Sequence, residues 1–202
     1  MKKLFVIGDS ISMHYGPYLE ELCKDRYQYS RKSGDEGYSN LDIPTGANNG
    51  DSTMVLNYLK YQHENQRMEY DVLLLNCGLH DIKTTANGNK QVEQSLYESN
   101  LKQILSILNE YPGKCIWVTT TPADDTVHNA RCTGFKRYDQ DVIHYNEIAQ
   151  EIMREADISI IDLYEFTLPF IPTAYIDHIH FNDEVRKKQA QYIFEKLMEL
   201  CE

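Results

Sequence analysis

Short, continuous apolar runs alternate along the chain with longer stretches that have helical spacing. The runs lie at residues 4–7, 72–75, 116–118 and 158–161, and the more polar stretch 27–30 is a fifth strand candidate. Runs without polar alternation are typical of strands that are covered on both faces in a parallel sheet. We therefore predict five strands in a mostly parallel sheet.

Amphipathic stretches follow the runs at residues 18–23, 54–61, 96–108, 142–153 and 185–200. In the third of these, Leu101, Ile104, Leu105 and Leu108 recur at the spacing of one helix face. The order is strand then helix throughout, and right-handed crossovers place such helices on both faces of the sheet. The pattern predicts a doubly wound, three-layer α/β fold, with residues 1–202 forming one domain.

Composition and charge narrow the choice of partners and compartment. The formal net charge of −11 argues against nucleic acid and anionic membranes as partners. No stretch approaches the roughly 18 apolar residues that a membrane span needs, and the run after Met1-Lys2-Lys3 is too short for a signal peptide. We therefore expect a cytoplasmic protein, and its five scattered cysteines are expected to be reduced.

The first strand ends at Gly8-Asp9-Ser10. In doubly wound folds ligands bind at the carboxyl ends of the strands, so this serine is placed where chemistry occurs. A serine in the first helical turn has backbone N–H groups beside it that can hold an oxyanion. The alternative is a simple helix cap, since Asp and Ser commonly precede helices.

A second candidate set lies near the carboxyl terminus, in Asp177-His178-Ile179-His180. An aspartate three residues before a histidine can reach its imidazole N–H and stabilise the imidazolium that forms when the ring takes a proton from serine. The alternative is a metal site built on His178 and His180, but no further ligand stands at a suitable spacing.

Taken together, these segments resemble the SGNH hydrolases, also called the GDSL esterase/lipase family. Its first block is similar to Gly8-Asp9-Ser10, its second to Asn49-Gly50-Asp51-Ser52, its third to Gly78-Leu79-His80-Asp81, and its DxxH block to the segment from Asp177 to His180. The resemblance runs from residue 8 to residue 180. It implies a flavodoxin-like sheet, a Ser10–His180–Asp177 triad, and an oxyanion hole formed by Ser10, Gly50 and His80.

One position departs from the family pattern, because His80 stands where the third block has asparagine. A histidine can replace the amide donor through one ring N–H, either as a neutral tautomer or as imidazolium. The backbone donors at Ser10 and Gly50 do not depend on this substitution.

The resemblance implies a serine esterase that cleaves short acyl groups from small-molecule or carbohydrate esters, without metal or other cofactor. Three alternatives stay open: a lysophospholipase or thioesterase, a non-catalytic binding module on the same scaffold, and a flavodoxin-like nucleotide binder. The sequence does not predict an oligomeric state.

Several further residues are candidates for substrate contact. Aromatic rings that could stack on a sugar are Tyr15, Tyr18, Tyr38 and Trp117. The stretch Thr119-Thr120-Thr121-Pro122, with Asp124, Asp125 and Arg131 after it, is expected to line the cleft, and residues 33–50 are expected to form an ordered loop over the site.

Overall fold

A computed structural model describes residues 1–33 and 40–201. Its sheet contains five parallel strands in the order β2-β1-β3-β4-β5. They are β1 (Lys2–Ile7), β2 (Tyr27–Arg31), β3 (Val72–Leu75), β4 (Lys114–Val118) and β5 (Ser159–Ile161). All five strands were predicted from the apolar runs and the stretch at 27–30, and the flavodoxin-like strand order is confirmed.

Seven α-helices surround the sheet in the described residues. They are α1 (Ser10–Cys23), α2 (Ser52–Glu64), α3 (Gln94–Leu108), α4 (Asp125–Arg131), α5 (Asp139–Glu155), α6 (Leu163–Thr167) and α7 (Asp183–Cys201), and a 3-10 turn at Leu168–Phe170 follows α6. Helix α1 packs on α7, while α3 packs on both α2 and α5. The apolar faces of both groups are buried against the sheet, which gives the expected three layers.

The first helix is longer than its sequence pattern indicated. The amphipathic pattern predicts a short stretch at residues 18–23, whereas α1 begins at Ser10 and contains Pro17. A proline removes one hydrogen bond from a helix interior. Two other contacts stabilise the first turns of α1. The Asp9 carboxylate accepts from the Ile11 N–H, and Arg31 on β2 donates to the Ser12 carbonyl.

Helices α4 and α6 were not predicted. They have seven and five residues, respectively, and an apolar repeat is not visible over so short a length. Each begins at an aspartate whose carboxylate accepts a backbone N–H: Asp124 from Val127, and Asp162 from Glu165. The residues that we expected in a cleft-lining loop, Asp124 and Asp125, therefore belong to the start of α4.

Parallel pairing brings the carboxyl ends of the strands to one edge. Ile7 pairs with Leu75, and Leu75 with Trp117, so the residues that follow β1, β3 and β4 emerge side by side. The strand order reverses direction between β1 and β3, which is where ligands bind in this type of sheet. Ser10 and His80 follow these two strands.

None of the helices in residues 1–33 and 40–201 combines the length and the apolar character that a bilayer span requires. All five cysteines are free thiols, as expected.

Asn146 and the backbone of Thr120, just after β4, form a pair of hydrogen bonds that we call the polar clamp, and this pair gives a test of stability. Asn146 on α5 accepts from the Thr120 N–H at 2.9 Å and donates to the Thr120 carbonyl at 2.8 Å, and both residues are buried. Asn146→Ala leaves two buried backbone groups unpaired, so we expect a loss of about 2–5 kcal/mol in the free energy of unfolding. Urea denaturation measures this loss.

The matched control is Asn65→Ala, because Asn65 is exposed and donates to a single carbonyl, that of Tyr61. We expect a change within about 0.5 kcal/mol. Equal losses in the two variants would contradict the proposed importance of the clamp.

Candidate active site

Three side chains form a continuous hydrogen-bonded chain at the carboxyl edge of the sheet. His180 Nε2 lies 2.8 Å from Ser10 Oγ, and His180 Nδ1 lies 2.7 Å from Asp177 Oδ2. Ser10 and His180 are 2% and 3% exposed, so the ring is held between its two partners with little access for bulk water. This is the geometry in which an imidazole takes a proton from a serine hydroxyl.

Ser10 owes its position to the turn between β1 and α1. Asp9 is the N-cap, so Ser10 is the first residue of the helix, where backbone N–H groups have no intrahelical acceptor. The cap and the nucleophile were weighed as alternatives from the sequence. In the structure Asp9 makes the capping hydrogen bond, which leaves the Ser10 hydroxyl for His180.

Asp177 holds the histidine by its backbone as well as by its side chain. Asp177 Oδ1 accepts from the N–H groups of Ile179 and His180, at 2.8 and 2.7 Å, while Oδ2 faces the ring. Burial alone would raise the pKa of Asp177, but the hydrogen bonds from the side chain and backbone of His180 outweigh it and hold that pKa well below its usual range. The carboxylate is therefore ionised beside the ring at neutral pH.

The second segment places Gly50 in a backbone conformation that requires glycine. Its φ is +68°, and a Cβ there would lie 2.5 Å from Met54 Sδ and 2.8 Å from Pro44 Cβ. The Gly50 N–H donates to Asn48 Oδ1 at 3.1 Å. To serve as an oxyanion donor, this N–H would exchange that side-chain acceptor for the substrate.

The third segment contributes a buried, neutral histidine. His80 is 1% exposed, and its Nδ1 has no hydrogen-bond partner. Burial, together with the nearby cations Lys83 and Arg137, lowers the pKa of His80 well below its usual value. Of the two forms that the sequence left open, the structure therefore favours the imidazole over the imidazolium.

His14 is a neighbour of the triad that the sequence analysis did not identify. It lies one helical turn after Ser10, and its ring meets the His180 ring edge-on with centroids 4.8 Å apart. Burial and the charges of His180 and Arg186 lower the pKa of His14 to about 4. It is consequently neutral at neutral pH.

Three further residues hold the loops of the site, and they too were missed. Asn49 donates twice to the Gly8 carbonyl, through its backbone N–H and through Nδ2. Both carboxylate oxygens of Asp81 accept from the Ser52 N–H, and burial raises the pKa of Asp81 to about 7 despite these bonds. Arg137 donates from Nε to the Leu79 carbonyl at 2.8 Å. No local pattern marks such long-range contacts to backbone groups.

Several residues that were candidates for substrate contact are buried in the structure. Trp117 is fully buried within β4, and Thr119, Thr120 and Thr121 are buried as well. Trp117 is therefore a core residue, and the three threonines are buried where a cleft-lining or solvated loop was expected. Of the later residues, Arg131 does line a cleft.

The predicted tyrosines have other environments. Tyr15 is buried in the core, and Tyr18 donates to Asp183 on α7. Tyr38 and part of the predicted loop at 33–50 lie outside the described residues.

A metal site on His178 and His180 is not what the structure forms, since His180 is engaged by Ser10 and Asp177. A different group, His128, Cys132 and His178, brings its ligand atoms within 4.8 Å of one another. However, Arg137 Nη1 lies 3.0 Å from His128 Nε2, so a guanidinium already occupies the lone pair that a metal would need. These residues do not fit a metal ion.

Comparison with known proteins agrees with this geometry. Residues 6–187 match the GDSL-like Lipase/Acylhydrolase family. One curated relative, an uncharacterised protein of Mycoplasma pneumoniae, is 25% identical over 178 residues. That match covers 88% of this chain but only 19% of the relative, so the chain spans about a fifth of its length.

Solved structures share the fold at low identity. An acetyl xylan esterase, AlAXEase, aligns with a TM-score of 0.71 at 17% identity, over 96% of this chain and 99% of that one. A carbohydrate acetylesterase family member from Sinorhizobium meliloti aligns at 0.68 and 12% identity, over 99% of both chains. A lipase/acylhydrolase from Enterococcus faecalis aligns at 0.67 and 15%, over 99% and 97%.

Proposed function

Because the chain belongs to the GDSL-like lipase/acylhydrolase family, and is thus a hydrolase of ester bonds, we propose that it is a serine esterase. We propose further that it removes short acyl groups, acetyl in particular, from a small alcohol such as a sugar. The observation that carries this proposal is the continuous chain from Ser10 Oγ through His180 to Asp177, with contacts of 2.8 and 2.7 Å.

The first half of the reaction forms an acyl-enzyme. His180 Nε2 takes the proton of Ser10 as Oγ attacks the ester carbonyl, and the ionised Asp177 stabilises the imidazolium. The tetrahedral intermediate then collapses, and His180 returns the proton to the leaving alcohol oxygen.

The second half releases the acyl group. Water takes the place of the alcohol, gives its proton to His180 and attacks the acyl carbonyl of Ser10. Collapse of this second intermediate frees a carboxylic acid and restores the hydroxyl of Ser10. Both halves use the same groups, so no metal or organic cofactor enters the proposed reaction.

The oxyanion of both intermediates needs donors on the side of Ser10 away from His180. We propose the N–H of Ser10, the N–H of Gly50 after it leaves Asn48, and the ring of His80. The support for His80 is its buried Nδ1, which has no hydrogen-bond partner among residues 1–33 and 40–201. In histidine Nδ1 is bonded to Cγ, as the amide nitrogen is in asparagine, so the neutral Nδ1–H tautomer reproduces the family's donor at the same reach.

Two observations support a short acyl group and a polar alcohol. Three charged side chains, Asp42, Lys83 and Arg131, line the cleft beside His178, and they suit a polar or charged alcohol part. Two of the structural neighbours act, by their names, on acetylated carbohydrates. We therefore favour O-acetyl esters over phospholipids or long-chain thioesters.

Ser10 should form the covalent intermediate. A fluorophosphonate probe should attach to Ser10, as located by mass spectrometry, and Ser10→Ala should lose about 10⁴-fold or more in hydrolysis of p-nitrophenyl acetate. The control is Ser12→Ala, since Ser12 lies on the same helix but its hydroxyl donates to the Asp9 carbonyl. Labelling that survives in Ser10→Ala would refute the serine mechanism.

The two histidines of the last segment should differ sharply. His180→Ala removes the base and should lower kcat by about 10⁴-fold or more. His178→Ala should cost far less, because His178 Nε2 pairs with Asp42 at 3.2 Å rather than with Ser10. Steady-state kinetics on p-nitrophenyl acetate compares them, and similar losses in both variants would argue against this assignment.

A series of substitutions at position 80 tests whether Nδ1 of His80 is the ring nitrogen that donates to the oxyanion. His80→Ala should lower kcat by about 10²–10³-fold with KM nearly unchanged, because a donor to the oxyanion acts in the transition state. His80→Asn should retain most activity, whereas His80→Gln should not, since it moves the amide nitrogen one bond further out.

The pH profile adds a second readout for the same series. Because burial lowers the pKa of His80, the ring is neutral throughout the range above that value, and it loses no proton on the alkaline side. Wild type and His80→Asn should therefore show the same alkaline behaviour. An alkaline limb that only the wild type shows would mean that the imidazolium is the working donor.

A further inference from the structure

A cleft of about 570 Å³ lies against the catalytic segment. His178 forms part of its wall, and Arg131 on its rim donates to the Asp177 carbonyl at 2.6 Å. The opposite side is formed by Lys83, three residues after His80, and by Phe135. The cleft therefore borders the segment that carries Asp177 and His180.

Two buried cations stand in this region. Lys83 is 7% exposed and lines the cleft, while Arg137 is 1% exposed and lies behind it. Both approach the ring of Phe135, with Lys83 Nζ 4.9 Å and Arg137 Cζ 4.8 Å from its centroid. Arg131 lines the same cleft, so three positive side chains lie in this region.

Within the lining of the cleft the negative charge is smaller, although Asp9 and Asp177 also act on Arg137 from outside it. In the described part of the chain, Asp42 is the one carboxylate that lines the cleft. It is shared, since its Oδ1 lies 3.2 Å from His178 Nε2 and 3.8 Å from Arg137 Nη2. Lys83 Nζ donates to the Asp42 backbone carbonyl rather than to its carboxylate. Asp51 is nearby but bonded to Gln91.

The pKa values of the two buried cations are lowered mainly by their burial. Burial and the charge of Arg137 lower the pKa of Lys83 to about 8, and burial lowers the pKa of Arg137 to about 10. A buried ammonium whose pKa is depressed gains stability when an anion approaches it. The excess of positive over negative side chains in the described lining of the cleft contrasts with the net charge of −11 on the whole chain.

We propose that this cleft binds an anionic group on the alcohol part of the substrate, with Lys83 and Arg131 as its partners. The substrate class is then an O-acetyl ester of a sugar or similar polyol that carries a carboxylate or a phosphate. This inference rests on the proposed esterase function, and it concerns the part of the substrate that is not acetylated.

The test compares matched esters that differ in one charge. The first pair is an O-acetylated methyl glucuronoside and its uronamide, and the second pair is O-acetylated glucose 6-phosphate and O-acetylated glucose. The ratio of kcat/KM for the charged over the neutral member should be about tenfold or more, as expected for a charge-assisted contact. The pair with the larger ratio identifies carboxylate or phosphate as the preferred anion.

The ratio should fall towards one in Lys83→Gln and fall partially in Arg131→Gln. Using a ratio cancels any loss that affects both esters, such as a shift of Asp177 when Arg131 is replaced. The control is Lys60→Gln, which removes a cation that does not line the cleft and donates to Gln103. A ratio near one in wild type, or one that Lys83→Gln leaves unchanged, would overturn the proposal.

Two further measurements use the wild-type protein, so they do not depend on the folding of a variant. The second of them measures binding and does not depend on turnover. In wild type, raising NaCl from about 0.05 to about 0.5 M should shrink the ratio, because salt screens the contact. Calorimetry with the deacetylated methyl glucuronoside and its uronamide should show tighter binding of the acid. Equal binding of acid and amide, together with Ser10-dependent hydrolysis, would overturn this inference and leave the esterase proposal standing.

Discussion

The two hydrogen bonds from Asn49 to the Gly8 carbonyl are the contact on which the site depends. They fix the loop that carries Gly50 to the point where β1 ends and Ser10 begins its helix. The turn from β1 into α1 is also tight at residue 8, because a Cβ there would lie 2.9 Å from both Cβ and Oγ of Ser12. One backbone carbonyl at a tight turn thus sets the relative position of the nucleophile and a proposed oxyanion donor.

The remaining loops are joined in the same way, by side chains that bond to backbone groups distant in the sequence. Asp81 accepts from the Ser52 N–H, which ties the segment of His80 to that of Gly50. Arg137 donates to the Leu79 carbonyl, and Arg131 donates to that of Asp177. Because each loop is bonded to the next, Ser10 and His180 meet at 2.8 Å although 170 residues separate them.

The sequence could predict features that depend on residue type or on an apolar pattern, but not contacts between a side chain and a distant backbone group. The strands were visible because apolar runs mark burial on both faces. The proposed triad could be suggested because a serine nucleophile, a histidine base and an aspartate must be those residue types for that chemistry. Asn49 and Arg137 were not visible, because they act on carbonyl groups that every residue has. The full length of α1 was not visible in the amphipathic pattern, which covers only residues 18–23, although Ser10 was expected in a first helical turn.

The site contains several imidazole rings, and their surroundings decide which one accepts a proton. Burial lowers the pKa of both His14 and His80, so neither ring adds a positive charge beside Ser10 at neutral pH. Neither ring has a carboxylate within hydrogen-bonding distance among the described residues, whereas His180 has Asp177 on Nδ1 at 2.7 Å. A proton that leaves Ser10 is therefore most stable on the ring beside the carboxylate. Of the two neutral rings, His14 packs edge-on against His180, and His80 is the one that we propose as a donor without charge.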